Sequence, residues 1–221
     1  MTDGYSAYSA YVKVNDAVIH ALCWMHNRRN YVYAEADEPQ AAGQGLDIIG
    51  QLFHHEQTIK DRRLDEKATL NYRANHCKPV VDAFYEWVDE QCQRADLSPK
   101  SPFGKALRYS VNHEEKLRVF LSDPCVPIDT GAVERALRVI PLGRRNWLFN
   151  WSEVGAQYTG IIQSLIVTCR MQGINPTDYL IDVLQRVDTH PASAIDELTP
   201  RLWKAKYGNH FFRSDVDSRG Q

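Results

Sequence analysis

Between residues 36 and 125 the apolar side chains recur at steps of three and four, the period of a helix that buries one face. Leu46, Ile49, Leu52, Phe53 and Ile59 form one stripe, and Val81, Phe84, Tyr85, Val88 and Cys92 form another. As a strand, each stripe would be split between two opposite faces, so the block excludes a sheet over this length. Ser101 followed by Pro102 is an N-cap with a first-turn proline and opens "FGKALRYSVN"; "EEKLRVFL" closes the block. A single run, "AVIHALCW" at 17–24, reads as a short strand buried on at least one face. One such run is too little for a sheet of normal width. The chain is therefore expected to be mostly α-helical, with a strand whose partners are not found in it.

The C-terminal half repeats the helical logic. "SEVGAQYTGIIQSLIVTCRMQG" places Val154, Tyr158, Ile161, Ile162, Leu165 and Cys169 on one stripe and stops at Gly173. Asn175-Pro176 opens "TDYLIDVLQRV", with Leu180, Val183, Leu184 and Val187 expected to face inward. "KYGNHFFRSDVDSRGQ" reads as a frayed tail.

Bulk chemistry narrows the function classes. A net charge of −2 argues against a surface coated in positive charge, so any nucleic-acid contact must be a local patch. Five scattered cysteines favour free, mostly buried thiols in a reducing compartment over a disulfide framework. No apolar run approaches the roughly 18 residues a membrane span needs, and no signal-peptide core opens the chain. A cytoplasmic location is expected.

The patch that the charge argument demands lies at 128–151, "IDTGAVERALRVIPLGRRNWLFNW". Residues 131–151 hold four arginines (Arg135, Arg138, Arg144, Arg145) against one glutamate, a local charge of +3. Asp129 or Thr130 can cap a helix from about Gly131 to Ile140, which Pro141 would end. Glu134 then sits in its first turn, opposite the apolar Ala132, Val133, Ala136, Leu137 and Ile140. Two readings are open. A first-turn glutamate complements the helix dipole and pairs with Arg138 at i,i+4 for about 0.3–0.5 kcal/mol. Alternatively, the same geometry presents a carboxylate to a metal that must meet phosphate. Trp147, Phe149 and Trp151 are equally open, either as the core face of a short strand or as rings on which a base stacks beside phosphate-contacting arginines.

These motifs resemble the transposases of the insertion sequence 66 family. "VERALRVIPLGRRNWLFNWSEVGA" and "IIQSLIVTCRMQGINPTDYLIDVLQRV" resemble the C-terminal half of that family, and "TDGYSAY" the segment around its second catalytic aspartate. "CWMHNRRNY" matches the stretch that follows it, and "HPASAIDELTPRLW" a short terminal module. The resemblance implies an α/β fold: an incomplete RNase H-like core with a large helical insertion, mostly α-helical in this chain. It divides the sequence into core remnant (1–35), insertion (36–125), core helices with the catalytic Glu (126–172), terminal module (173–208) and flexible tail (209–221).

It also implies a chemistry. An Asp-Asp-Glu set holds two Mg²⁺ or Mn²⁺ ions, which activate water to cut a transposon end and then the freed 3′-hydroxyl to attack target DNA. Hard carboxylate oxygens suit those ions rather than zinc. Asp3 matches the second acid and Glu134 the third, both as catalytic and as metal-binding residues. Arg28, Arg29, Arg135, Arg138, Arg144, Arg145 and Trp147 are the expected DNA contacts, and a transposase homo-oligomer an expected partner. No residue matches the first acid, which would precede Asp3, so the chain is expected to be the C-terminal portion of such an enzyme, inactive alone. A non-catalytic fragment that binds DNA or transposase, or the remnant of a decayed element, is the alternative. The family often carries an asparagine pair where Thr130 and Gly131 stand here.

Other constellations are weaker. His20, Cys23 and His26 invite a zinc reading, but on a strand His20 and Cys23 face opposite sides, and no second pair stands at finger spacing. "HHEQ" at 54–57 places adjacent residues on diverging helix directions. Eleven tyrosines do not assemble the base and phosphate clamp that a tyrosine nucleophile needs.

Overall fold

A computed structural model of the chain describes residues 1–15, 17–146 and 150–214. Two compact units divide it, Met1–Glu134 and Arg135–Gln221.

The first unit carries α1 (Ser6–Lys13), α2 (Trp24–Ala34), α3 (Pro39–Arg62), α4 (Glu66–Tyr72), α5 (Lys78–Cys92), α6 (Pro102–Asn112) and α7 (Glu114–Arg118). A π-helical turn, Arg73–Cys77, joins α4 to α5, and α8 (Gly131–Leu137) runs across the boundary between the units. The helical block at 36–125 is as its periodicity requires. Asp65 accepts from the Ala68 N–H at 2.8 Å to start α4, and Ser101 accepts from the Gly104 N–H at 3.0 Å to start α6.

α2 packs against α3 and α6, and α5 packs against the same two helices. Their shared interior is aromatic. Trp24 and Phe84 meet edge to face at 5.3 Å between ring centres, and Tyr31 meets Phe84 at 5.8 Å and Phe103 at 6.2 Å, the arrangement that ring quadrupoles favour. Ile49, Leu52, Val81, Phe84, Tyr85 and Val88 are buried there, whereas Cys92, at the end of α5, is exposed. The Tyr31 hydroxyl donates to Ser110 Oγ at 2.8 Å, and that hydroxyl donates to Asn27 Oδ1 at 2.9 Å, so neither enters the core unpaired.

The strand expected at 17–24 is corrected. Val18 and Ile19 are exposed, and no strand forms among the described residues; a single parallel bridge pairs Thr2 with Leu22. The Thr2 N–H donates to Ala21 O and the Cys23 N–H to Thr2 O, both at 3.1 Å. The next groups are taken by other segments: the Leu22 N–H donates to Lys116 O and the Trp24 N–H to Ile128 O, each at 3.0 Å. The extended run 21–23 is thus buried, but its backbone is satisfied by loops instead of a ladder.

The second unit holds α9 (Val139–Gly143), α10 (Glu153–Met171), α11 (Pro176–Arg186) and α12 (Pro200–Tyr207), with a 3₁₀ segment at Ala192–Leu198. The helix expected to run to Ile140 stops at Leu137, and Pro141 does not terminate it. Pro141 is instead the third residue of α9, where its missing N–H would have had no intrahelical acceptor. Gly173 stops α10 as expected. At φ +63° it closes a paired cap, with the Ile174 N–H on Cys169 O at 2.8 Å and the Gly173 N–H on Arg170 O at 3.1 Å. Ile174 and Cys169 then enter a small core with Tyr179 and Trp203.

Three further expectations change here. Val154, Tyr158, Ile161 and Ile162 of α10 are exposed, and its buried residues are Gln163 and Cys169. On α11 the buried residues are Tyr179 and Asp182, with Leu184 and Val187 exposed. Asp182 reverses the polarity pattern because its carboxylate is saturated. Oδ2 accepts from Arg186 Nε and Trp203 Nε1, and Oδ1 from the Phe212 N–H, all at 2.6 Å. That last bond, with Phe211 packed on the core and Arg186 over the Phe212 ring at 4.1 Å, holds the start of the segment expected to be a flexible tail. Residues 215–221 of that tail lie outside the described residues.

Candidate functional site

The bridge that replaces the strand also places Asp3. Asp3 follows Thr2 directly, and the Asp3 carboxylate accepts from the Tyr5 N–H at 3.0 Å, a turn that Gly4 completes at φ +88°. A side chain at Gly4 would meet the Tyr109 hydroxyl at 2.8 Å, so φ and space both call for glycine. Tyr109, on α6, donates to Asp3 O at 3.5 Å. Burial, then the neighbouring Cys23 and Asp3, push its hydroxyl up to about 12. Tyr109 was not legible as a site residue because its partner lies 106 positions away.

Glu134 is reached from the other end of the unit. Asp129 Oδ1 accepts from the Gly131 N–H at 2.7 Å and starts α8. Thr130 lies one turn before Glu134: its carbonyl accepts from the Glu134 N–H at 2.9 Å, and its hydroxyl lies 2.8 Å from Glu134 Oε1. His26 Nε2, on α2, is 3.6 Å from the same oxygen. These are the partners of the carboxylate where i,i+4 spacing pointed to Arg138. Cys23 is the link between the two ends. Its N–H donates to Thr2, beside Asp3, and its buried sulfur lies 3.3 Å from the Thr130 nitrogen and 3.4 Å from the Thr130 hydroxyl.

The residues of the zinc reading take three separate partners: His20 the Thr2 hydroxyl at 2.7 Å, Cys23 Thr130, and His26 Glu134. Burial, with Lys116 and the chain terminus nearby, lowers the His20 pKa below its ordinary value. Among the described residues no group of three or more His, Cys, Asp or Glu is placed to hold a metal ion. Asp3 and Glu134 have the oxygen chemistry for Mg²⁺ or Mn²⁺, but they are two where a closed set needs more.

Of the arginines, Arg28 is half-buried on α2 and Arg29 exposed beside it. Arg135, Arg138, Arg144 and Arg145 are exposed in the second unit. Trp147 and Phe149 lie outside the described residues, and Trp151 is 88% exposed, not part of a core face. No helix among the described residues is long and apolar enough to cross a membrane.

Comparison with known proteins agrees with this arrangement of motifs. Residues 1–158 match the model of the Transposase IS66 family, and residues 164–201 match the IS66 C-terminal element. Two relatives from Sinorhizobium fredii (strain NBRC 101917 / NGR234), the uncharacterized proteins y4hP and y4qI, are each 32% identical. The matches cover 85% and 92% of this chain but 36% and 38% of those proteins, so the chain spans little more than a third of their length. No solved structure matches. With both candidate acids inside the first matched region and most of the terminal module inside the second, the chain belongs to the IS66 family of transposases.

Proposed function

We propose that the chain serves metal-dependent cleavage and strand transfer of DNA, with Asp3 and Glu134 as two acids of an Asp-Asp-Glu set on an RNase H-like core. The observation that carries this reading is the family match over 1–158, which contains both acids. In that reading the remaining acid comes from polypeptide other than the described residues. When bound, Mg²⁺ or Mn²⁺ would supply charge stabilisation and an activated oxygen nucleophile. The work of this chain is to present two carboxylates in fixed orientation and to hold DNA through Arg28, Arg29, Arg135, Arg138, Arg144, Arg145 and Trp147. The setting is the cytoplasm, and self-association of the transposase would bring two DNA ends together. The purified chain with Mn²⁺ and terminal-repeat DNA is expected to give no cleavage on a sequencing gel. Cleavage that Glu134→Gln abolishes would show that the described acids suffice and would overturn the shared-site reading.

A second reading, a non-catalytic fragment that binds DNA or transposase, is favoured by exposed arginines in a chain whose described residues include no closed ligand set. Its signature is electrostatic. Six arginines on phosphates give a slope of log K against log salt of roughly −5, and Arg144→Ala with Arg145→Ala is expected to reduce it by about 2. Binding insensitive to salt would end this reading.

A further inference from the structure

Thr130 stands between a buried sulfur and an exposed carboxylate, and its hydroxyl has one proton to give. Two acceptors lie within reach, Glu134 Oε1 at 2.8 Å and Cys23 Sγ at 3.4 Å. The shorter, charge-assisted bond takes the proton. The Cys23 S–H is then free to donate back to Thr130 Oγ1, while its sulfur accepts from the Thr130 N–H at 3.3 Å. Every donor and acceptor in this chain is used once: Cys23 S–H to Thr130 Oγ1, Thr130 O–H to Glu134 Oε1, Thr130 N–H to Cys23 Sγ.

His26 completes the holder from α2. Its Nδ1 is buried without a partner, so we place the imidazole proton on Nε2, facing Glu134 Oε1 at 3.6 Å, because an orphan lone pair at Nδ1 costs less than an orphan N–H there. Glu134 itself is about half exposed. An exposed glutamate ordinarily samples several rotamers, and a side chain that must meet a metal loses affinity for each rotamer it has to give up.

We propose that Thr130, anchored on Cys23, is the positioning residue of Glu134 and fixes the carboxylate rotamer before any cation arrives. The inference rests on the reading of Glu134 as a metal-binding acid. Thr130 acts through Glu134 and touches no reacting atom.

The test reads the Glu134 side chain directly in the full, isotopically labelled chain, by three-bond couplings across its χ1 and χ2, with Mn²⁺ alone as the cation probe. Wild type and Thr130→Ser are expected to show one rotamer. Thr130→Val, which keeps the β-branch and the N–H but loses the hydroxyl, is expected to average among staggered wells. It should also weaken Mn²⁺ broadening of the Glu134 amide by about ten-fold. Rescue by serine separates the hydroxyl from a packing effect, and an unchanged amide spectrum elsewhere confirms that each variant folds. A single Glu134 rotamer in folded Thr130→Val overturns the proposal. If Mn²⁺ never broadens Glu134 in wild type, the metal-binding reading falls, while the coupling comparison still decides the role of Thr130.

Discussion

Arg73→Met is expected to destabilise the first unit by roughly 3–5 kcal/mol, the cost of leaving a buried charge without its partner. Arg73 and Glu56 are both buried and form a two-pronged pair, Nε to Oε1 and Nη2 to Oε2, each at 2.8 Å. The third nitrogen, Nη1, donates to three backbone carbonyls, Phe120 at 2.6 Å, Asp123 at 3.0 Å and Val126 at 3.1 Å. One guanidinium thereby joins α3, the π-helical turn and the loop that leads to Ile128 and Thr130. Lysine cannot reproduce this fork, so Arg73→Lys should recover only part of the loss. Glu56→Leu combined with Arg73→Met removes the stranded charge but leaves three carbonyls without a donor, and should remain less stable than wild type. Urea midpoints with residue-resolved hydrogen exchange check this. Exchange in α3 and α5 unchanged by Arg73→Met would show that the pair carries no net stability.

Asp182→Ala should have a comparable effect in the second unit, again roughly 3–5 kcal/mol, since it strands Arg186 and leaves Trp203 Nε1 and the Phe212 N–H without an acceptor. Burial alone would raise the pKa of the Asp182 carboxyl, but the bonds from Arg186, Phe212 and Trp203 outweigh it and hold the group below the usual carboxylate range. A carboxyl depressed by folding contributes fully above its unfolded pKa, and that contribution is lost as pH falls through the lower folded value. The second unit is therefore expected to lose exchange protection in α11 and α12 at acid pH, progressively as pH falls from the ordinary carboxylate value to the lower folded one. Asp182→Asn should flatten that acid limb, because it cannot ionise, while lowering protection at neutral pH. Acid loss identical in wild type and Asp182→Asn would assign the pH dependence to other groups.

Both predictions concern residues that periodicity misread or passed over. Arg73 lies in a π-helical turn between two ordinary helices, and its acceptors are 47 to 53 positions further on. Asp182 occupies a face that hydropathy assigned to Leu184 and Val187, because a charge is read as exposed unless its partners are known. Those partners, Trp203 and Phe212, come from segments later in the chain. The misplaced strand has the same origin. "AVIHALCW" has strand composition, but a strand exists only where another segment completes its ladder, and here Lys116 and Ile128 take the Leu22 and Trp24 amides.

What the sequence determined by itself is the set of features governed by a few consecutive residues. Ser101 and Asn175 start helices, Gly173 ends one with a left-handed cap, and the apolar period at 46–59 and 81–88 points its side chains inward. Family membership was legible for a similar reason, since ordered motifs survive as strings. The tertiary structure alone decided what surrounds each acid: the Cys23–Thr130–Glu134 chain, His26 opposite the carboxylate, and Tyr109 against Gly4. Apart from the one-turn step from Thr130 to Glu134, those contacts join residues about a hundred positions apart, and their existence depends on how α2, α6 and α8 pack, which no local propensity specifies.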